Sequence, residues 1–378
     1  MAKIGILSMQ RIINYGSFLQ AYGLKKLLED LGHTVEFVDY RIEEPLIKNN
    51  DNKHSSAIQS KISKVLEALS YDAPLSQRIQ YILHKKSFAN KYFTILGISS
   101  EMNYTPKLDI LVIGSDEVFN CIQKNTNVGY SLELFGKDNK AKRLISYAAS
   151  FGNTTIDKLK KYNKDKEIGN LLQRFDAISV RDNNSGNIVN ELTNRECEYN
   201  LDPVLAYDYI SKCDKIPTLS IKEKYLILYA YAGRISSQEA EWIRNYAKSR
   251  NLKIYSIGGV QKYSDKFIDC SPFEVLSYFK NAEAVITDTF HGSIFSIITK
   301  RKFVTIIRKS EGENYGNEEK LTDLLNRVKL SSRLTNDISC IESILDKNID
   351  YKLVNEILET ERVKTYKYLK NQTVESYM

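Results

Sequence analysis

Short apolar runs alternate with longer stretches of helical spacing along most of this chain. Lys3 to Ser8 (KIGILS) reads as a buried strand, and from Ser17 to Leu31 the apolar positions Phe18, Leu19, Tyr22, Leu27, Leu28 and Leu31 recur at near-helical spacing. Gly32 ends that helix and TVEFVDY resumes as a strand. Strand, helix and strand in this order make a βαβ unit, so a parallel sheet is expected. LDILVI (from Leu108 to Ile113), RLISYAAS (from Arg143 to Ser150) and DAISV (from Asp176 to Val180) supply further strands.

From Glu43 to about Gly97 the pattern turns polar and Lys-rich, with amphipathic helices predicted over Ile58 to Leu69 and Leu75 to Tyr92 around Asp72-Ala73-Pro74. This excursion, residues 43–97, is either a flap over a substrate or a structural insertion. A second α/β run begins after the polar segment Tyr207 to Lys224. It consists of strand Tyr225 to Tyr231, helix Ser237 to Ser249, strand Leu252 to Ile257, helix Pro272 to Lys280, then strand AVIT, an apolar helix and strand KFVTI. The expected organisation is a Rossmann-like domain over 1–206 and a second over 207–350, facing each other across a cleft as in GT-B glycosyltransferases. A last helix, roughly Tyr351 to Lys370 within 351–378, is expected to pack back on the first domain.

The chain has 378 residues, 42% of them hydrophobic and 27% charged, which suits globular domains with large cores. No apolar run approaches the roughly 20 residues that span a bilayer, and MAKIGILS enters a strand without the features of a signal peptide. A cytoplasmic location is therefore expected. The net charge of +7 suits anionic ligands or an anionic membrane surface. It is too mild to argue for nucleic acid, and no nucleic-acid-binding module pattern occurs. Cys121, Cys197, Cys213, Cys270 and Cys340 are scattered without CxxC pairs, which points to reduced packing residues rather than a metal site.

Candidate chemistry gathers at predicted carboxyl ends of strands, where parallel sheets present ligand crevices. The first strand is followed by MQRIINYGS, which carries Asn14, Tyr15 and Gly16 but has neither GxGxxG nor a P-loop. LDILVI ends in Gly114-Ser115-Asp116-Glu117-Val118-Phe119-Asn120, where glycine permits close approach and short polar groups are offered; an ordinary Asx turn would look the same. DAISV runs into Arg181, which is either a surface ion pair or a guanidinium aimed at phosphate or carboxylate. AVIT runs through Asp288 into His291, where Asp288 could orient the imidazole or cap the helix that follows. A histidine satisfied by local backbone would share this spacing. Of the other three histidines, His33 follows a helix-stopping glycine, and His54 and His84 fall in the excursion.

INYGSFLQAYGL, LVIGSDEVFN, ISYAASFG, ISVRD, LDPV and ITDTFHGSIFSI with KRKFVTI behind it, taken in this order, resemble the polysaccharide pyruvyl transferases over most of the chain. On that resemblance the family's glycine, serine and aspartate match Gly114, Ser115 and Asp116, its usual tryptophan is Phe119, its arginine is Arg181 and its histidine is His291. A basic residue after the following strand corresponds to Arg308 or Lys309. The resemblance implies transfer of pyruvate from phosphoenolpyruvate to two hydroxyls of a sugar, free or lipid-linked, as a cyclic ketal, with no cofactor and no metal. Arg181 with Arg308 or Lys309 would bind the anionic donor. His291 would be the acid, and Asp116 would activate or orient the acceptor. A nucleotide-sugar glycosyltransferase and a non-catalytic carbohydrate-binding protein are the alternative readings. The basic excess together with a polyprenyl-linked acceptor would bring the protein to the inner membrane face without insertion.

Overall fold

A computed structural model describes residues 1–47, 65–123, 128–308 and 316–374. Two six-stranded sheets organise them. The first contains β1 (Lys3–Leu7), β2 (Thr34–Val38), β3 (Ile110–Asp116), β4 (Arg143–Ala149), β5 (Ser179–Val180) and β6 (Glu198–Tyr199) in the order β2-β1-β3-β4-β5-β6. The second contains β7 (Tyr225–Tyr229), β8 (Lys253–Ile257), β9 (Lys266–Phe267), β10 (Ala284–Thr287), β11 (Phe303–Ile306) and β12 (Leu334–Thr335) in the order β12-β11-β10-β7-β8-β9. Every strand pairing within the two sheets is parallel. Near-continuous apolar runs such as ILVI in β3 and YLILY in β7 are buried throughout, as strands covered by helices on both faces must be.

This strand order determines where a ligand can sit. In the first sheet the order in which strands are added reverses between β1 and β3, and in the second between β7 and β10. Loops leaving the carboxyl ends at such a reversal diverge and open a crevice. Asn14, Tyr15 and Gly16 follow β1, Gly114, Ser115 and Asp116 end β3, and Asp288 and His291 follow β10, whereas Arg181 follows β5 and Arg308 follows β11.

The first helix, Tyr15–Glu29, begins two residues before the apolar period does, because Asn14 caps it: its Oδ1 accepts from the Ser17 N–H at 2.7 Å. Tyr15 and Gly16 are therefore helical residues. Of the excursion, 48–64 lies outside the described residues, so the helix expected over Ile58 to Leu69 is seen only as helical residues 65–70; His54 is also outside them. Helix Leu75–Leu96 runs one turn past Tyr92 and ends at Gly97 in the left-handed region (φ 81°). It straps the two halves together. Gln77 donates to the Ser264 carbonyl oxygen at 2.9 Å, His84 Nδ1 lies 2.6 Å from Asp269, and nearby Asp72 pairs with Lys262 at 2.8 Å. An aromatic cluster completes the seam, with Phe18 edge-on to both Phe88 and Phe273.

Helix Tyr351–Thr373 packs back on the first sheet, as expected from the likeness to GT-B architecture. Its Tyr368 hydroxyl donates to the Ser146 carbonyl oxygen at 2.7 Å, and Thr373 Oγ1 meets His33 Nε2 at 3.0 Å. The five cysteines are unpaired, and Cys121, Cys213 and Cys270 are buried. Among the described residues, no helix is long and apolar enough to cross a membrane.

Candidate active site

A cavity of about 490 Å³ opens between the carboxyl ends of the two sheets. Met9, Ile12 and Ile13 after β1 and Ile122 and Val128 beyond β3 give it an apolar wall. Asp116, Glu117, Arg181, Lys85, Arg234, Lys320 and Asp288 supply its ionisable acids and bases, with the His291 imidazole among them. Of the thirteen buried side-chain polar atoms without a hydrogen-bond partner among the described residues, four belong to Arg181, Asp288 and His291. Native interiors rarely leave such groups unpaired, so their concentration around one cavity marks a place where a polar ligand completes the bonding.

His291 lies in the first turn of helix Phe290–Ile298, whose cap is Thr289: Thr289 Oγ1 accepts from the Gly292 N–H at 2.9 Å. Asp288 therefore neither caps that helix nor orients the ring. The carboxylate beside the imidazole is Asp202, with Oδ2 3.8 Å from Nε2, a distance for charge attraction rather than a hydrogen bond. The other flank of the ring lies against Gly16, where a Cβ would collide with Nδ1. A glycine is thus required on the first domain for the second domain's histidine to seat. Burial pushes the imidazole below the ordinary histidine value; Asp202 and Asp116 pull it up, and Arg181 and Lys320 press it down further. The balance favours the uncharged ring, and Nε2 has no hydrogen-bond partner among the described residues.

Arg181 leaves β5 and turns its guanidinium inward. Nη1 donates to Asp202 at 2.9 Å and lies 3.6 Å from Asp116, while the plane stacks 4.2 Å over the Phe290 ring. Burial works against its charge, but Asp116, Asp202, Asp182 and Glu117 outweigh that and keep it above its ordinary value. Asp116 is the last residue of β3 and adopts φ 75°; its Oδ2 accepts from Ser17 Oγ at 3.3 Å.

Gly114 and Ser115 do not line the cavity. Gly114 has φ 136° and sits where a Cβ would strike the Tyr147 carbonyl oxygen, and Ser115 is fully buried, donating to the Ala148 carbonyl oxygen at 3.0 Å. They build the strand end that presents Asp116. Tyr15 points into the seam instead, where its buried hydroxyl donates to the Cys270 carbonyl oxygen at 3.1 Å. It is expected above among the ligand contacts but is not among the residues lining the cavity. Asn14 does line the cavity while serving as the helix cap. Arg308 is drawn to Glu239 (2.5 and 3.2 Å) and toward Asp288 (3.6 Å), and it is not among the lining residues. Lys309 lies outside the described residues.

Sequence reasoning missed four contributors. Asp202, within LDPV, is an N-cap preceding a proline, a signal present in the chain but assigned no role. Arg234, on the loop after β7, stacks 4.6 Å over Tyr231 with Asp288 3.9 Å away. Lys320 pairs with Glu117 at 2.8 Å across the cavity. Lys85 reaches in from the straddling helix and donates to the Ile13 carbonyl oxygen at 2.7 Å. None of these last three carries a local sequence signal. Asp288 itself is fully buried; burial pushes its carboxyl up, opposed by Arg234 and Arg308.

Burial pushes the Lys85 ammonium down to about 8. Its charge is present below that pH and lost above it, so an anion in the cavity should bind less well as pH rises through about 8. Calorimetric titration with inorganic phosphate checks this. The wild type should show the limb, whereas Lys85→Met should bind several-fold more weakly at pH 7 and show none.

No match was found among curated proteins. Among solved structures, the glycotransferase of kitacinnamycin aligns at TM-score 0.51 and 8% identity, covering 100% of this chain and 99% of that one. The S. aureus MnaA structure with UDP aligns at TM-score 0.50 and 10% identity, covering 98% and 96%. At such identities the likeness speaks for the fold alone, which is that of the GT-B enzymes. A family model described as polysaccharide pyruvyl transferase matches residues 14–310, a span that holds Asp116, Arg181, Asp202 and His291 together, and the chain belongs to that transferase family.

Proposed function

We propose that this protein transfers pyruvate from phosphoenolpyruvate to two hydroxyls of a sugar in a cell-surface polysaccharide or its precursor, forming a ketal and releasing phosphate. The observation that carries the reading is an imidazole with an unpartnered nitrogen in a cavity with two guanidiniums and two ammonium groups, two of which come from each half of the molecule. A small trianion with phosphate and carboxylate ends suits such a set.

In this reading Arg181, Arg234, Lys85 and Lys320 hold the donor. Its arriving negative charge offsets the desolvation that keeps His291 neutral, so the ring takes up a proton as the donor binds. His291 then protonates the methylene carbon, and an oxocarbenium-like centre forms at the adjacent carbon. A sugar hydroxyl adds there and gives its proton to Asp116. The carbon–oxygen bond to phosphate breaks, and a second hydroxyl adds to close the ketal. Of the two hydroxyl protons, one replaces that consumed by the new methyl group and the other leaves with phosphate.

Incubation with phosphoenolpyruvate and a panel of sugar acceptors should release phosphate and add a pyruvyl mass increment to one of them; glycosyl transfer from a nucleotide sugar with release of the nucleotide, and no phosphate from phosphoenolpyruvate, would overturn the reading. Arg234→Ala should raise the donor KM about ten- to a hundredfold, the range expected from losing a charge-assisted hydrogen bond of roughly 1.5–3 kcal/mol. Arg308→Ala should change it little, because that side chain is bound to Glu239.

A further inference from the structure

Helix Leu75–Leu96 has an outer face that neither the seam nor the cavity uses. Leu75, Ile79 and Leu83 are spaced four residues apart, so they form one stripe, and they are 57%, 48% and 59% exposed. Lys86 continues the same stripe and Lys91 stands nearby, both exposed. From residue 73 to residue 100 the chain has Arg78, Lys85, Lys86 and Lys91 but no aspartate or glutamate. With 47 acidic residues among 378, a stretch of 28 would ordinarily hold about three or four. An exposed apolar stripe in a helix with cations and no anions suits an anionic bilayer surface, where leucine and isoleucine enter the headgroup boundary and lysines meet phosphates.

We propose that this helix docks the protein on an anionic lipid bilayer. The same helix carries Lys85 into the cavity from its inner side, so docking holds the cavity rim close to the membrane. A sugar attached to a lipid would then reach the site without leaving the bilayer. Vesicle binding is read without any donor; only the turnover control and the access of a lipid-attached sugar rest on the reading proposed above.

Co-sedimentation of the full chain with phosphatidylglycerol/phosphatidylcholine vesicles tests it. Binding should be strong at low ionic strength, absent from pure phosphatidylcholine, and weakened by salt as screening shortens to about 8 Å at physiological strength. Leu75→Ser/Ile79→Ser/Leu83→Ser should lower partitioning at least tenfold while phosphate release with a soluble acceptor stays at the wild-type rate. Lys86→Glu/Lys91→Glu should flatten the salt dependence, since each cation near an anionic surface is worth about fivefold in binding. Wild-type partitioning by both variants, or no vesicle binding by the wild type, overturns the proposal. So does a dimer in sedimentation velocity that the leucine and isoleucine substitutions dissolve, which would make the stripe a contact between copies of this chain.

Discussion

Replacing His291 with glutamine should lower turnover by roughly 10²–10⁴-fold, the usual contribution of a general acid, while the protein remains folded. Glutamine keeps a polar group against Gly16 and near Asp202 but cannot cycle a proton. The pH profile distinguishes proton transfer from mere shape. Burial holds the free imidazole below the ordinary histidine value, so kcat/KM for the donor, which reports the free enzyme, should fall as pH rises through that depressed value. Once the anionic donor is bound, the imidazolium is favoured and the corresponding limb in kcat should sit at higher pH. His291→Gln should lose both limbs. A folded glutamine variant with near-normal turnover would remove the acid role, and a large drop in thermal midpoint with normal turnover per folded molecule would make His291 a seam residue only.

Arg181 is the second position where a large effect is expected, and its two substitutions should differ in kind. Arg181→Ala leaves Asp202, whose side chain is 1% exposed, without its partner at 2.9 Å. Stranding a buried charge costs about 3–5 kcal/mol, so this variant should unfold at a markedly lower temperature. Arg181→Lys keeps a positive charge but loses the planar fork that serves Asp202 and Asp116 and stacks on Phe290. It should stay folded and lose at least tenfold in kcat/KM for the donor. Wild-type donor kinetics in the lysine variant would show that Arg181 supports Asp202 without touching the donor.

The positions that could be read in the chain are those whose role is local. Asp116, Arg181 and His291 each stand where a strand pattern stops, and crevice residues of parallel sheets come from those exits. The same logic overreached at Tyr15, Gly114 and Ser115. Residues one or two places apart near a strand or helix end point in different directions, and periodicity does not say which one faces the ligand. Arg308 is a further case of the same kind: it is a cation at a strand exit, but Glu239, 69 residues earlier, binds it.

By itself, then, the sequence determined the two parallel sheets, the existence of the C-terminal helix and the strand ends that carry chemistry, because hydrophobic periodicity and turn residues act over a few positions. Only the tertiary structure decided which groups meet. Gly16 seats His291 across 275 residues of chain, Lys85 enters from a helix that straps the two halves, and Arg234 takes the place in the cavity wall expected of Arg308. Those pairings depend on how two independently patterned sheets are brought face to face. The aromatic seam around Phe18, Phe88 and Phe273 does this through contacts between residues far apart in the chain, and no local spacing records them.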